Sequence, residues 1–330
     1  MGVTRAWGNR GTAGRGFAAL ALIVAAGSGW AQAWPAKPVR VVVPFTPGSA
    51  TDLVGRAVAE RLAAQTGQPF IVENRTGAGG TIGTAAVASA AADGATLLVN
   101  SSGHTVNPHL YASLPYDTLR DLAGVSMLAA LPNVLIASPS RGWRSVADLL
   151  AYARANPGKV NYASAGVGSA THMNAEKFRL GAGLDAVHVP FKGTPEAITE
   201  TITGRLDFFF APLASVLGPL KDGRAIALAV GTPRRAALLA DVPTTLEAGV
   251  ANSDYTLWVG LFAPAKTPPE VLARVSAETL RAVQAPEARE RFAKLGAEPM
   301  PMQPAEFDAV VRAELAANGP LVKAAGLRPQ

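Results

Sequence analysis

Two stretches of the chain carry residue types suited to holding an anion through backbone N–H groups and hydroxyls. The first is Pro44-Phe45-Thr46-Pro47-Gly48-Ser49-Ala50-Thr51-Asp52, which joins a buried strand candidate at 39–43 to a helical pattern at 52–64. Gly48 lets the backbone approach closely or adopt a positive φ, and Ser49 or Thr51 suits a helix cap. A helix start presents unpaired N–H groups and a partial positive charge, which together favour an anion. The second stretch is Ser164-Ala165-Gly166-Val167-Gly168-Ser169-Ala170-Thr171. It repeats the arrangement between a strand candidate at 160–163 and a helical pattern at 171–180. Two such loops, one per lobe, would point helix starts across a shared cleft and bind a carboxylate without an arginine. Asn100-Ser101-Ser102-Gly103-His104 and Gly77-Ala78-Gly79-Gly80-Thr81 are two more turns of small and hydroxyl residues beyond strand candidates.

Other chemistries lack their residues. Gly181-Ala182-Gly183-Leu184-Asp185-Ala186 matches G-x-G-x-x-A, but it ends a helix and precedes a strand, the reverse of a dinucleotide site. No phosphate-binding G-x-x-x-x-G-K-[ST] occurs, and cysteine is absent. His104, His109, His172 and His188 show no paired spacing of a zinc site, so neither metal nor cofactor is expected. A triad from Ser101, His104 and a distant aspartate lacks the G-x-S-x-G elbow. An exported α/β hydrolase is therefore only the alternative to a non-enzymatic binding protein.

The elements that would position these loops alternate strand and helix. Strand candidates at 39–43, 70–72 and 97–100 enclose helical patterns at 52–64 and 81–92. This is the order of a parallel sheet with helices on both faces. The alternation restarts with strands at 134–137, 160–163, 187–189, 208–210 and 226–230, and helices at 146–153, 171–180 and 195–204. The tail returns to amphipathic helix at 269–283, 287–295 and 305–317. Having no complete sheet of its own, the tail is expected on the first lobe. The expected division is 34–131 with 256–330 as lobe 1 and 132–255 as lobe 2, with crossings near 127–131 and 256–262. The alternative is a plain division into an N-terminal and a C-terminal half.

Residues 1–33 read as a secretory leader: Arg5, Arg10 and Arg15 are its only charges, 17–26 is apolar, and Ala31-Gln32-Ala33 offers small residues at a cleavage site. The apolar run is too short to span a bilayer. The whole chain has a net charge of +6 from 30 Lys and Arg against 24 Asp and Glu. Losing three arginines with the leader halves that excess, which leaves no electrostatic case for nucleic acid. A periplasmic monomer is expected.

Ordered short motifs run through the rest of the chain. They include Val72-Glu73-Asn74-Arg75, Gly77-Ala78-Gly79-Gly80, Asp93-Gly94, Asn107-Pro108 and Leu114-Pro115-Tyr116-Asp117. Further on stand Ala155-Asn156-Pro157-Gly158, His188-Val189-Pro190-Phe191-Lys192-Gly193 and Asp241-Val242-Pro243-Thr244. With the Trp34-Pro35 start and the Pro44-Phe45 loop, this series resembles the Bug/TctC family, the solute-binding proteins of tripartite tricarboxylate transporters, from about Trp34 to Gly326. The resemblance implies a type II periplasmic-binding-protein-like α/β fold, with two lobes, a ligand cleft and two crossing strands. It implies a small carboxylate as ligand and tripartite tricarboxylate transporter membrane subunits as partners. Carried over by position, the ligand contacts are Thr46, Gly48, Ser49, Asp52, Gly80, Ser101, Ser102, Ser164, Gly166, Gly168, Ser169, Phe191 and Ala211, with Lys192 at the cleft edge. Ser49 stands where the family usually has glycine, and Phe191 where tyrosine is common. Ala211 stands where a polar or acidic residue often precedes Pro212. That apolar residue points to an unaminated mono- or dicarboxylate, aromatic acids included.

Overall fold

A computed structural model describes residues 1–2 and 34–327. All but the first two residues of the expected leader lie outside the described residues.

Eleven strands and ten α-helices are found among the described residues. In chain order they begin β1 (Val39–Val43), α1 (Ala50–Thr66), β2 (Phe70–Asn74), α2 (Thr81–Ala88), β3 (Thr96–Ser101), α3 (Asn107–Leu110) and β4 (Leu122–Leu131). Then come β5 (Asn133–Ala137), α4 (Val146–Ala155), β6 (Val160–Ser164), α5 (Ala170–Ala182), β7 (Ala186–Pro190), α6 (Thr194–Ile202), β8 (Phe208–Pro212), α7 (Leu213–Lys221) and β9 (Ile226–Val230). The chain ends with β10 (Leu257–Pro264), α8 (Pro269–Gln284), α9 (Pro286–Lys294), β11 (Glu298–Pro299) and α10 (Pro304–Ala324).

The strands form two sheets, one ordered β11-β4-β10-β3-β1-β2 and the other β7-β6-β8-β5-β9. The expected parallel pairing holds for β2-β1-β3 and for β7-β6-β8. The sheets as wholes are mixed, because β10 runs antiparallel to β3 and β4, and β5 runs antiparallel to β8 and β9. The chain leaves the first sheet through Pro132 alone, between β4 and β5, and returns through 231–256 into β10. Of the segments read from sequence as crossings, 127–131 and 256–262, residues 127–131 and 257–262 are antiparallel neighbours within the first sheet.

The inner strands are covered on both faces, so β3, β5 and β8 are buried along their whole length, whereas the edge strands β2 and β7 are partly exposed. Val41 and Val43 pack with Val54, Val58 and Leu62 of α1 and with Val275 and Phe292 of the tail. Val42 points the other way, onto Val87 of α2 and Phe307 of α10. In the second sheet Phe208 and Phe210 face one cluster while Phe209 faces the other. α2 stops at Ala88 rather than 92, where the Ser89 hydroxyl donates back to the Ala85 carbonyl at 2.9 Å. α10 runs past the expected 317 because buried Asn318 and Val322 anchor its last turns.

Candidate functional site

The two loops singled out by sequence are built alike. At the start of α1, Ser49 (φ −66°, ψ 157°) caps the helix, its Oγ accepting from the Asp52 N–H at 3.3 Å. The Ser49 N–H donates to the Thr46 carbonyl at 3.1 Å, and the Gly48 N–H donates to Asp52 Oδ2 at 2.9 Å. At the start of α5, Ser169 (φ −64°, ψ 158°) accepts from the His172 N–H at 3.3 Å. Its own N–H donates to the Gly166 carbonyl at 3.1 Å, and the Gly168 N–H donates to His172 Nδ1 at 3.1 Å. Gly48 and Gly168 take φ of +83° and +78°, the left-handed region that a side chain disfavours. The tetrapeptide Gly-Ser-Ala-Thr stands at both 48–51 and 168–171. Each cap leaves the next two N–H groups, of Ala50 and Thr51 and of Ala170 and Thr171, without an acceptor among the described residues.

These starts converge. A cavity of about 20 Å³ is lined by Ser49, Ala50 and Thr51 from one loop and by Ala165, Ser169, Ala170 and Thr171 from the other. Phe45, Ser101, Thr194, Pro212 and Leu257 complete its wall, and no charged side chain is among them. Thr171 Oγ1 accepts from the Ala165 N–H and contacts Ser169 Oγ, both at 3.0 Å. The wall thus offers N–H dipoles and hydroxyls in a buried setting, where they act more strongly than in water. It offers no carboxylate to an ammonium. Beyond Ala165 lies a second cavity of 510 Å³, walled by 77–80, Tyr111, 165–167, 190–192 and Glu196.

The sequence-predicted residues divide by where they sit. Ser49, Ser101 and Ser169 line the inner cavity; Gly80, Gly166 and Phe191 line the outer. Gly48 and Gly168 form the turns, and the Thr46 hydroxyl donates to Glu196 Oε2 at 3.4 Å. Asp52 is buried and its carboxylate is occupied by the Gly48 N–H, Arg56 Nε at 3.0 Å and Asn74 Nδ2 at 2.8 Å. It braces the loop. Ser102 Oγ accepts from the Tyr255 hydroxyl at 3.1 Å. Ser164 is sealed, its Oγ 2.6 Å from His188 Nε2 and accepting the Gly166 N–H at 3.0 Å. Ala211 requires a correction. It is fully buried in an apolar cluster with Val134, Ala163 and Phe209, and Pro212 is the β8 residue on the cavity. The case against an amine-bearing ligand therefore passes from Ala211 to the uncharged wall.

Phe45, Thr51, Thr171, Thr194 and Leu257 were missed. Thr51 and Thr171 carried a signal, since a capped helix leaves its first N–H groups free. Thr194 and Leu257 arrive from distant segments and carried none.

Ser164 with His188 superficially resembles a nucleophile and base. Ser164 is fully buried, however, and burial pulls the His188 pKa down to about 3. His188 instead stacks on His172, centroids 3.9 Å apart. Burial likewise lowers His172 to about 3 and His104 to about 4. Neutral His172 can then accept the Gly168 N–H that shapes the loop. No cluster of three or more His, Asp or Glu suited to a metal occurs among the described residues.

The family model TctC, the tripartite tricarboxylate transporter family receptor, matches residues 54–327. The chain belongs to this family. TctC receptors bind solutes and are not enzymes, which agrees with the sealed Ser164. A Rhodopseudomonas palustris protein solved with adipate superposes with a TM-score of 0.87 at 32% identity, over 90% of this chain and 100% of that one. The periplasmic binding protein BugD gives 0.86 at 30% identity over 90% and 100%. MatC from Rhodopseudomonas palustris, with bound malate, gives 0.83 at 31% identity over 88% and 100%. The TctC chain shares their two-lobed α/β fold. No helix among its described residues is long and apolar enough to cross a membrane.

Proposed function

We propose that this protein is a periplasmic receptor that captures a small unaminated carboxylate between the starts of α1 and α5. It would pass the ligand to the membrane subunits of a tripartite tricarboxylate-type transporter or report it to a sensing partner. The observation that carries the reading is the repeated Gly-Ser-Ala-Thr start, whose four free N–H groups border one uncharged cavity. Hydrogen bonds to a charged acceptor contribute about 1.5–3 kcal/mol each. A few of them, less the cost of ordering and closure, reach roughly micromolar affinity. The adipate and malate held by two structural relatives support the ligand class.

On this reading the chain is exported by a cleaved leader at 1–33 and works as a monomer. Lobe 1 comprises 34–131 and 256–330, lobe 2 comprises 132–255, and the lobes close by rotation at Pro132 and 231–256. Ser49, Ser101 and Ser169 contact the ligand together with the N–H groups of Ala50, Thr51, Ala170 and Thr171. Asp52, Ser102 and Ser164 hold the loops in place.

Native mass spectrometry of the protein as purified tests this. An added mass identified as an organic acid supports the reading, and a co-purified sugar or cationic amine opposes it.

A further inference from the structure

The two helix starts are braced at the same place by different chemistry. Asp52 and His172 each stand three residues after the capping serine, and each accepts the N–H of the glycine before it. At α1 the acceptor is a carboxylate oxygen, 2.9 Å from the Gly48 nitrogen. At α5 it is an imidazole nitrogen, 3.1 Å from the Gly168 nitrogen. One helical turn further on, the charges are exchanged. Asp52 is followed by Arg56, whose Nε donates to it at 3.0 Å. His172 is followed by Glu176, whose Oε1 lies 3.8 Å from His172 Nε2.

This arrangement fixes the proton on His172. A backbone N–H only donates, so Nδ1 presents its lone pair to Gly168, and a ring with one proton carries it on Nε2. Nε2 has no hydrogen-bond partner among the described residues. The groups around the fully buried ring are His188 of β7, Tyr162 of β6, and Glu176 and Arg179 of α5 itself. Glu176 accepts from the Tyr162 hydroxyl and from Arg179 Nη2 at 2.7 Å, so its charge is offset without a cation at 172. Burial, and then the Arg179 guanidinium, disfavour a second proton on the ring.

The type of acceptor matters to an anion. A negative charge in the first turn of a helix takes up part of the positive potential there. At α1 Arg56 compensates Asp52. A carboxylate at 172 would have Glu176, not an arginine, four residues on. Imidazole accepts the same N–H and adds no charge. We propose that His172 is the positioning residue of the α5 half of the site. Its unprotonated Nδ1 holds the Gly168 turn as Asp52 holds the Gly48 turn, and leaves the helix start uncharged for the ligand's carboxylate. This inference rests on the carboxylate reading above and adds to it a residue that touches no ligand.

Isothermal titration of adipate against the native protein and three variants tests it, with urea midpoints of the unliganded proteins alongside. His172→Asn keeps an oxygen acceptor and should bind nearly as tightly as the native protein. His172→Leu fills the space without an acceptor and should bind about tenfold more weakly. His172→Asp keeps the acceptor but adds the charge, and at about pH 7 should bind about fivefold more weakly than His172→Asn. Equal affinity of the Asn and Leu variants, or of the Asn and Asp variants, would overturn the inference and leave the carboxylate reading standing. So would affinities that merely follow the urea midpoints. Nitrogen-15 NMR of the native histidine side chains decides the same point without any variant. His172 should carry its proton on Nε2, and a proton on Nδ1 would overturn the inference. Absence of adipate binding by the native protein would overturn the carboxylate reading and this inference together.

Discussion

Replacing Gly79 by alanine should keep the lobes apart. Gly79 sits at φ +59°, and an added Cβ would lie 2.2 Å from the Val167 backbone oxygen and 3.4 Å from the Tyr111 hydroxyl. Real contacts of this kind stay above about 3.0 Å. The loops after β2 and β6 would have to separate by nearly an ångström. The obstacle is a carbonyl fixed in the backbone, so no rotamer change relieves it. Left-handed backbone costs an alanine roughly 1 kcal/mol in addition. That local strain acts with or without ligand, whereas the clash acts only on the closed form. Apparent affinity scales with the fraction of molecules able to close. Closure made harder by about 1.4–2.8 kcal/mol lowers affinity about ten- to hundredfold. Isothermal titration with adipate reads this directly. The unliganded Tm should fall by only about 2–4 °C, the shift expected from local strain of about 1 kcal/mol in a domain of this size class. Unchanged affinity would refute the claim that this contact forms across a closing cleft. A collapse of unliganded stability would refute the claim that each lobe tolerates the change.

Other substitutions separate bracing from binding. Asp52→Ala strands the Gly48 N–H, Arg56 and Asn74, and should lower stability by about 2–4 kcal/mol in urea unfolding even without ligand; an effect confined to affinity would make Asp52 a direct contact. Ser169→Ala removes a helix cap, costing about 1 kcal/mol of stability, and should also weaken carboxylate binding roughly tenfold. Unchanged binding would remove that hydroxyl from the site. For pH, burial holds His104, His172 and His188 below the ordinary 6.5, at about 4, 3 and 3. The unfolded chain takes up protons below about pH 6.5 that the folded chain refuses, so stability falls as pH drops from 6.5 towards 4. The slope should approach roughly 1 kcal/mol per pH unit per histidine. Equal urea midpoints at pH 7 and pH 5 would contradict the buried neutral state.

The fold was legible because the inner strands of both sheets are covered on both faces. Runs such as 41–43 and 208–210 had to be apolar throughout, and the intervening helices showed their own period. Each strand–helix turn announced itself through glycine and a capping serine. The misplacement of Ala211 has a simple cause. β8 extends through Pro212, two residues beyond the visible phenylalanine run. Strand side chains alternate faces, so Ala211 shares the inward face of Phe209 and leaves Pro212 to meet the cavity. The helix α7 was missed because it starts directly from β8, has no side-chain cap and contains Pro219. Leu257 reaches the site only because β10 pairs with β3 and β4 across a long separation in sequence. Asp52 looked like a ligand contact because it stands in the right loop. Only the geometry shows its oxygens already taken.

The central claim is that helix-start N–H groups hold a carboxylate with no charged partner. Isothermal titration of adipate against its diamide, with a neutral sugar and a cationic amine alongside, tests it most directly. The account predicts roughly micromolar binding of adipate, at least tenfold weaker binding of the diamide, and none of the sugar or the amine. Equal binding of acid and amide, or binding of the sugar or amine alone, would contradict it.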